Sequence, residues 1–111
     1  KVLKFCEKRD NGIVISAVTD NEILSRAMLS QVADTILMIK GVEAAFVIAK
    51  ISDSQTAISA RSRGHVNVQV IMERMHGGGH LSAAALQREN TSVEDLRTEL
   101  IATLDEVMKE E

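Results

Sequence analysis

The sequence predicts an α/β domain whose mixed, mainly β sheet is flanked by helices, and three features carry that prediction. Ile13-Val14-Ile15-Ser16-Ala17-Val18 and the run Ala-Ala-Phe-Val-Ile-Ala inside Glu43 to Ile51 have the length and apolar density of strands buried on both faces. Gln55 to Ser62 alternates, with Thr56, Ile58 and Ala60 on one face and Ala57, Ser59 and Arg61 on the other. Between and after these runs, apolar residues recur at spacings of three and four, which is the period of a helix packed along one side. The resulting order is helix, strand, helix, strand, strand, helix, strand, helix, in one domain of 111 residues.

Taken in order, Lys1 to Arg9 sets Val2, Leu3, Phe5 and Cys6 among charged residues and is expected to form a short lead-in helix. Asp10-Asn11-Gly12 is a turn signal ahead of the first strand. Thr19-Asp20-Asn21-Glu22 has the pattern of a capping box, and the helix it predicts would carry Leu24, Met28, Val32, Ile36 and Ile39 as its apolar stripe. Ala27, Leu29, Ala33 and Leu37 widen that stripe, and Lys40-Gly41 would end the helix. Ser52-Asp53-Ser54 joins the next two strands as an antiparallel hairpin. Asn67 can cap a helix with Val68, Ile71, Met72 and Met75 on its inner face, stopped by Gly77. Ala83 to Arg88 is expected to be a further strand. Thr91-Ser92-Val93-Glu94 opens a last helix lined by Val93, Leu96, Leu100, Leu104 and Val107.

Composition narrows what such a domain can do. The chain carries a net charge of −3, so no global basic field gathers nucleic acid or an anionic membrane, and any phosphate recognition must be local. Phe5 and Phe46 are the only aromatic residues, too few for a base-stacking platform. Cys6 is the only cysteine, which excludes a disulfide framework and favours a reducing, cytosolic setting. No apolar run reaches the roughly 18 residues that a membrane span needs. His65, His76 and His80 show no spacing with Asp, Glu or Cys that would gather three metal ligands on one helix face.

The chemistry therefore concentrates in Gly77-Gly78-Gly79-His80, which holds three of the six glycines. Successive glycine N–H groups can curl into a concave nest for an anion, and a histidine beside them can donate to a phosphate oxygen. A flexible helix-to-strand connector would use the same residues. Arg61 and Arg63 lie two apart on an extended segment, so both planar forks could reach one anionic ligand. Arginines in such a place also commonly pair with surface carboxylates such as Glu73. Met72 and Met75 are core residues at helical spacing.

Ser59-Ala60-Arg61-Ser62-Arg63-Gly64, then Val66-Asn67-Val68-Gln69-Val70-Ile71-Met72-Glu73, then Gly77-Gly78-Gly79-His80 together resemble the DHH-associated C-terminal domain of the DHH phosphoesterase superfamily. Ala33-Asp34 and Ile39 to Ile48 are similar to another block of that domain, so the resemblance runs from about Ile13 to the end. The segment after His80, Leu81-Ser82-Ala83-Ala84-Ala85-Leu86-Gln87, is similar to that of membrane-anchored cyclic di-AMP phosphodiesterases of the GdpP/YybT type. Ala83 and Leu86 stand where that family commonly has Asn and Thr.

The resemblance implies that residues 1–111 are the substrate-binding domain of a longer protein, with 1–12 leading in from the domain before. That parent would carry transmembrane helices, a PAS-like sensor, a degenerate GGDEF domain and a DHH catalytic domain in cis. It would hydrolyse cyclic di-AMP to the linear dinucleotide pApA, with Mn²⁺ held by Asp and His of the DHH domain and no catalytic or metal residue in this segment. By position, Arg61 and Ser59 would hold substrate phosphate and Gly78, Gly79 and His80 would line the site; Arg63 and Gly77, singled out above from the residues themselves, complete the set of phosphate-binding candidates. The segment itself would be cytoplasmic, inactive alone and without membrane contact, and the parent could form a homodimer. Two other functions fit the same residues: an exonuclease or oligoribonuclease domain for short linear strands, and a nucleotide-sensing module without catalysis.

Overall fold

The computed structural model describes residues 5–9, 11–19 and 22–109. Nine elements follow one another: β1 (Phe5–Lys8), β2 (Ile13–Ala17), α1 (Arg26–Leu37), β3 (Ala44–Lys50), β4 (Gln55–Ser62), α2 (Val68–Arg74), β5 (Gly78–Gly79), β6 (Ala83–Glu89) and α3 (Val93–Lys109). The strands form one six-stranded sheet in the order β1-β2-β3-β4-β6-β5. Only β2 and β3 run parallel, joined by α1 as the crossover, while every other neighbouring pair is antiparallel. The predicted α/β class and mixed sheet are what the chain adopts.

Helices cover both faces of the sheet, which explains why β3 reads as an unbroken apolar run. Ala44, Phe46 and Ile48 face α2 and α3 together with Ile58, Ile71, Met72, Leu96, Leu100 and Leu104. Ala45, Val47 and Ala49 face the other way, onto Leu29, Ala33 and Ile36 of α1. β4 splits as its alternation predicts: Ile58 and Ala60 join the first core and Ala57 the second. The predicted α3 stripe of Val93, Leu96, Leu100, Leu104 and Val107 is buried throughout.

The structure corrects four expectations. The lead-in forms strand β1, paired with β2 from Phe5↔Ala17 to Lys8↔Val14, and residues 1–4 lie outside the described residues. A nine-residue segment would not support a costly helix nucleus by itself, whereas the outer edge of β2 offers it a ready ladder. The hairpin turns at Gly12, which takes φ of 75°. Second, α1 begins at Arg26 with Ser25 as its N-cap, the serine oxygen accepting from the Met28 N–H at 3.1 Å. Asp20 and Asn21 of the expected capping box lie outside the described residues. Ile23 instead bridges Lys50, and the Leu24 N–H donates to the Lys50 carbonyl at 2.9 Å, so the chain is still sheet-bound where the helix was expected.

The later start changes the buried stripe as well. Leu29, Ala33 and Ile36 make it, while Met28 is 42% exposed and Ile39, beyond the last helical residue, is 56% exposed. Finally, α2 ends at Arg74 with Met75 as its C-cap and Asn67 as its N-cap, the latter as expected, but the left-handed residue that follows is His76 at φ of 70° rather than Gly77. Gly77 serves close packing: a Cβ there would lie 2.5 Å from the Ala85 carbonyl oxygen.

Candidate functional site

α1 lies over β3 and β4 and stops short of the sheet edge, so β6 and β5 present their α1-side face to solvent. The residues on that side of β6 are Ala83, Ala85 and Gln87, alternating with the inward Ala84 and Leu86. A concavity of about 240 Å³ sits there, lined by Ser30, Ser59, Arg61, Gly78, Gly79, Ala83, Ala84 and Ala85. It continues along α1 into a groove of about 320 Å³ that shares Ser30, Ser59 and Ala85 with it.

Arg61 is the cation of the concavity. β-alternation turns it toward α1, where its Nε donates to Asp34 Oδ1 at 3.1 Å and its Nη1 to the Ala60 carbonyl at 2.8 Å. Its side chain is 21% exposed, whereas that of Asp34 is 63% exposed. The guanidinium is therefore braced by its own strand, while its carboxylate partner stands in solvent. Among the described residues the Nη2 amino group bonds to no protein acceptor. Ser59 on β4 and Ser30 on α1 place their hydroxyls 3.2 Å apart beside it. One cation and two hydroxyls on a floor of small residues suit a phosphate oxygen better than an apolar ligand.

The glycine run contributes differently from the nest that the sequence suggests. The Gly77 N–H donates to the Met72 carbonyl at 2.7 Å, and Gly78 pairs with Ala85 in the ladder. His80 and Ala83 exchange both backbone bonds, at 2.7 and 3.4 Å. Gly79 opposite Ala84 is thus the non-hydrogen-bonded residue of edge strand β5, and its N–H faces the open edge of the sheet. Successive N–H groups alternate in direction because the run is a strand, and no nest forms.

Of the residues singled out in the sequence, Ser59, Arg61, Gly78 and Gly79 come together. Arg63, Gly77 and His80 do not line the concavity. Arg63 donates through Nε to the Val42 carbonyl at 2.9 Å and through Nη2 to that of Leu37, closing the C-terminal end of α1. His80 is exposed at the β5–β6 turn. His65 stands in solvent with Nδ1 2.8 Å from Glu43 Oε1. Met72 and Met75 are core, as expected. Ala83 borders the concavity, while Leu86 turns its side chain into the core.

Sequence reading did not single out Arg26 and Ser30, and it gave Asp34 no role. They follow one another at four-residue steps, a polar row running beside the buried stripe of α1. Arg26 donates through Nε to Gln87 Oε1 at 2.8 Å, and through Nη2 to the same oxygen, at the far end of the groove.

Behind β6, Arg88 ties the connector to the core. Its Nη1 and Nη2 donate to Glu99 of α3 at 2.8 and 3.0 Å, and Nη2 also donates to the Met75 carbonyl at 2.8 Å. The hydrogen bonds from Arg88 lower the Glu99 pKa below its ordinary value of 4.5; burial opposes this, and the charges of Arg88 and His76 reinforce it. A lowered folded-state pKa gives stability that is complete above about pH 4.5 and is lost as the pH falls through the folded value. Glu99 is 39% exposed, so solvent screening limits the pair to at most about 1 kcal/mol. Glu99→Gln is accordingly expected to lower the urea midpoint slightly at pH 7, with the gap to the unsubstituted protein narrowing as the pH is taken below about 4.5. A gap that stays constant throughout the acid range would exclude the ion pair as its source.

Among the described residues, no group of three His, Cys, Asp or Glu side chains could hold a metal ion. No described helix is long and apolar enough to cross a membrane.

Several known proteins resemble this chain. Cyclic-di-AMP phosphodiesterase GdpP of Geobacillus thermodenitrificans is 47% identical over 100 residues, covering 90% of this chain and 15% of the relative. Cyclic-di-AMP phosphodiesterase PdeA of Listeria monocytogenes is 39% identical over 111 residues, covering the whole chain and 17% of the relative. This chain thus spans about a sixth of their length. An exopolyphosphatase-related protein from Bacteroides fragilis superposes with a TM-score of 0.76 at 21% identity, over 95% of this chain and 32% of that one, which shows the shared fold. The DHHA1 domain profile matches residues 10–110. The chain belongs to the DHHA1 domain family, the DHH-associated domain of DHH-type phosphoesterases.

Proposed function

We propose that this domain holds the substrate phosphate for a metal-dependent phosphodiesterase that opens cyclic di-AMP to pApA. The observation that carries the reading is the convergence of Arg61, Ser59, Ser30 and the Gly78–Gly79 edge on one solvent-open concavity. The names of the relatives supply the substrate. An incoming phosphate would take the place of the exposed Asp34 carboxylate against Arg61, with the Ser59 and Ser30 hydroxyls as further donors. Arg61 then sets fixed positive charge where negative charge grows as the phosphodiester is attacked. The small side chains of Ala83 and Ala85 let a nucleotide backbone lie close to the sheet.

The reaction itself belongs to a preceding DHH domain in cis, which would close over the uncovered face of β6. Manganese ions would be held by Asp and His residues of that DHH domain. Membrane anchorage and homodimerisation would be properties of the parent.

The test is hydrolysis by the full-length protein, in the presence of Mn²⁺, of cyclic di-AMP, pApA and a short RNA. Cyclic di-AMP should turn over fastest, and the 111-residue domain alone should hydrolyse none of them. Preferential cleavage of the short RNA would make this an oligoribonuclease domain. Tight cyclic di-AMP binding with no turnover by the full-length protein would make it a sensor.

A further inference from the structure

We propose that the groove between α1 and β6 is a base subsite, taking one purine of the nucleotide whose phosphate Arg61 holds; the proposal rests on that phosphate reading. The groove measures about 320 Å³, at the lower end of the roughly 300–1,000 Å³ typical of small-ligand sites. Its floor is the α1-side face of β4 and β6, where Ala57 and Ala85 present only methyl groups. Buried Leu29 forms its wall on α1. A flat apolar occupant fits such a slot, and a hydrated phosphate or sugar does not.

Its polar groups lie only at the two ends. At the near end the Ser30–Ser59 hydroxyl pair joins it to the Arg61 concavity. At the far end stands the Gln87 amide. Two Arg26 donors converge on Gln87 Oε1, which settles which way round the amide lies, since an NH₂ group would meet guanidinium N–H with N–H. With its oxygen engaged, Gln87 offers the groove Nε2 donors. It would therefore read an acceptor on the edge of the base, such as a purine ring nitrogen.

Length selects the occupant. Arg61 lies opposite Ala83 and Ala57 opposite Gln87, so four strand residues separate the cation from the amide, or roughly 13 Å at about 3.3 Å per residue. A free phosphate cannot span that distance. A nucleoside phosphate with a two-ring base carries an acceptor from one end toward the other, and a one-ring base stops short.

The test measures equilibrium binding to the full-length protein of pApA, pUpU and ribose 5-phosphate, for the unsubstituted protein and for Gln87→Leu, Ala85→Leu and Arg61→Ala. Gln87→Leu keeps the bulk and removes the donors. It should weaken pApA about tenfold, bring pApA and pUpU to similar affinity and leave ribose 5-phosphate unchanged. Ala85→Leu fills the groove from below and should likewise abolish the preference for pApA over pUpU, while weakening all three ligands because Ala85 also borders the concavity. Arg61→Ala should weaken all three ligands. If Gln87→Leu and Ala85→Leu leave the preference for pApA intact while Arg61→Ala weakens every ligand, the base subsite is wrong and the phosphate site stands. If Arg61→Ala weakens none of them, the phosphate reading fails and takes the subsite with it.

Discussion

Arg61→Ala is expected to lower kcat/KM of the full-length protein for its phosphodiester substrate by about 10²–10³-fold, the usual cost of removing one preorganised donor from a transition state. The fold should survive the change. Arg61 is not part of either apolar core, and its bonds to Asp34 and the Ala60 carbonyl are those of a partly buried strand residue at the rim of the concavity. Circular dichroism and the urea midpoint should therefore change little while turnover falls. Asp34→Asn is the informative partner. If the carboxylate merely occupies the guanidinium until phosphate arrives, its removal should lower KM about twofold to fivefold, the worth of an exposed ion pair. An Asp34→Asn variant as inactive as Arg61→Ala would mean instead that Asp34 orients the guanidinium. Full activity in Arg61→Ala would move the phosphate site elsewhere on the domain.

Arg61 was legible because a strand reports its faces directly. The alternation from Gln55 to Ser62 puts Ala57, Ser59 and Arg61 on one side, and that side proves to be the one under α1. What a period-two pattern cannot say is what lies opposite. Arg63 continues the same face in sequence, yet the strand ends at Ser62 and Arg63 reaches the carbonyls that finish α1. Two arginines that look equivalent in the chain thus take different places, one lining the concavity and one closing a helix end.

The helix side of the site was harder to see. Arg26, Ser30 and Asp34 form a row that only becomes evident once the helix starts at Arg26 and its buried residues are Leu29, Ala33 and Ile36. A start at the apparent capping box turns attention to Met28 and Ile39, which face solvent. The sheet overrides that local signal, because Ile23 and Leu24 are engaged with Lys50. The glycine run misled for a related reason. Three glycines signal backbone freedom, but pairing with β6 spends that freedom on a short edge strand, a long-range contact that no local motif encodes.

That edge strand predicts three unequal glycines. Gly79 holds φ of 144°, and a Cβ there would stand 2.4 Å from the Ala84 Cα and 2.6 Å from the Ala83 carbonyl oxygen. The conformation alone disfavours a side chain by about 1–3 kcal/mol, and the overlap adds to it, so Gly79→Ala should pry β5 from β6. For a domain near 100 residues that corresponds to a fall in Tm of the order of 10 °C or more. Gly77→Ala should behave similarly, because its Cβ would overlap the Ala85 carbonyl oxygen and the Leu86 Cβ. Gly78 differs: nothing lies within 4 Å of a Cβ built on it. Gly78→Ala should therefore stay within about 0.5 kcal/mol of the unsubstituted stability. Its methyl would nonetheless project toward the concavity that Gly78 lines, the proposed phosphate position. Thermal melts and turnover of the full-length protein should consequently separate, with Gly79→Ala losing both and Gly78→Ala losing turnover alone. If Gly78→Ala keeps full turnover with unchanged stability, the substrate does not lie against β5, and the glycine run serves only to hold the sheet edge close to β6.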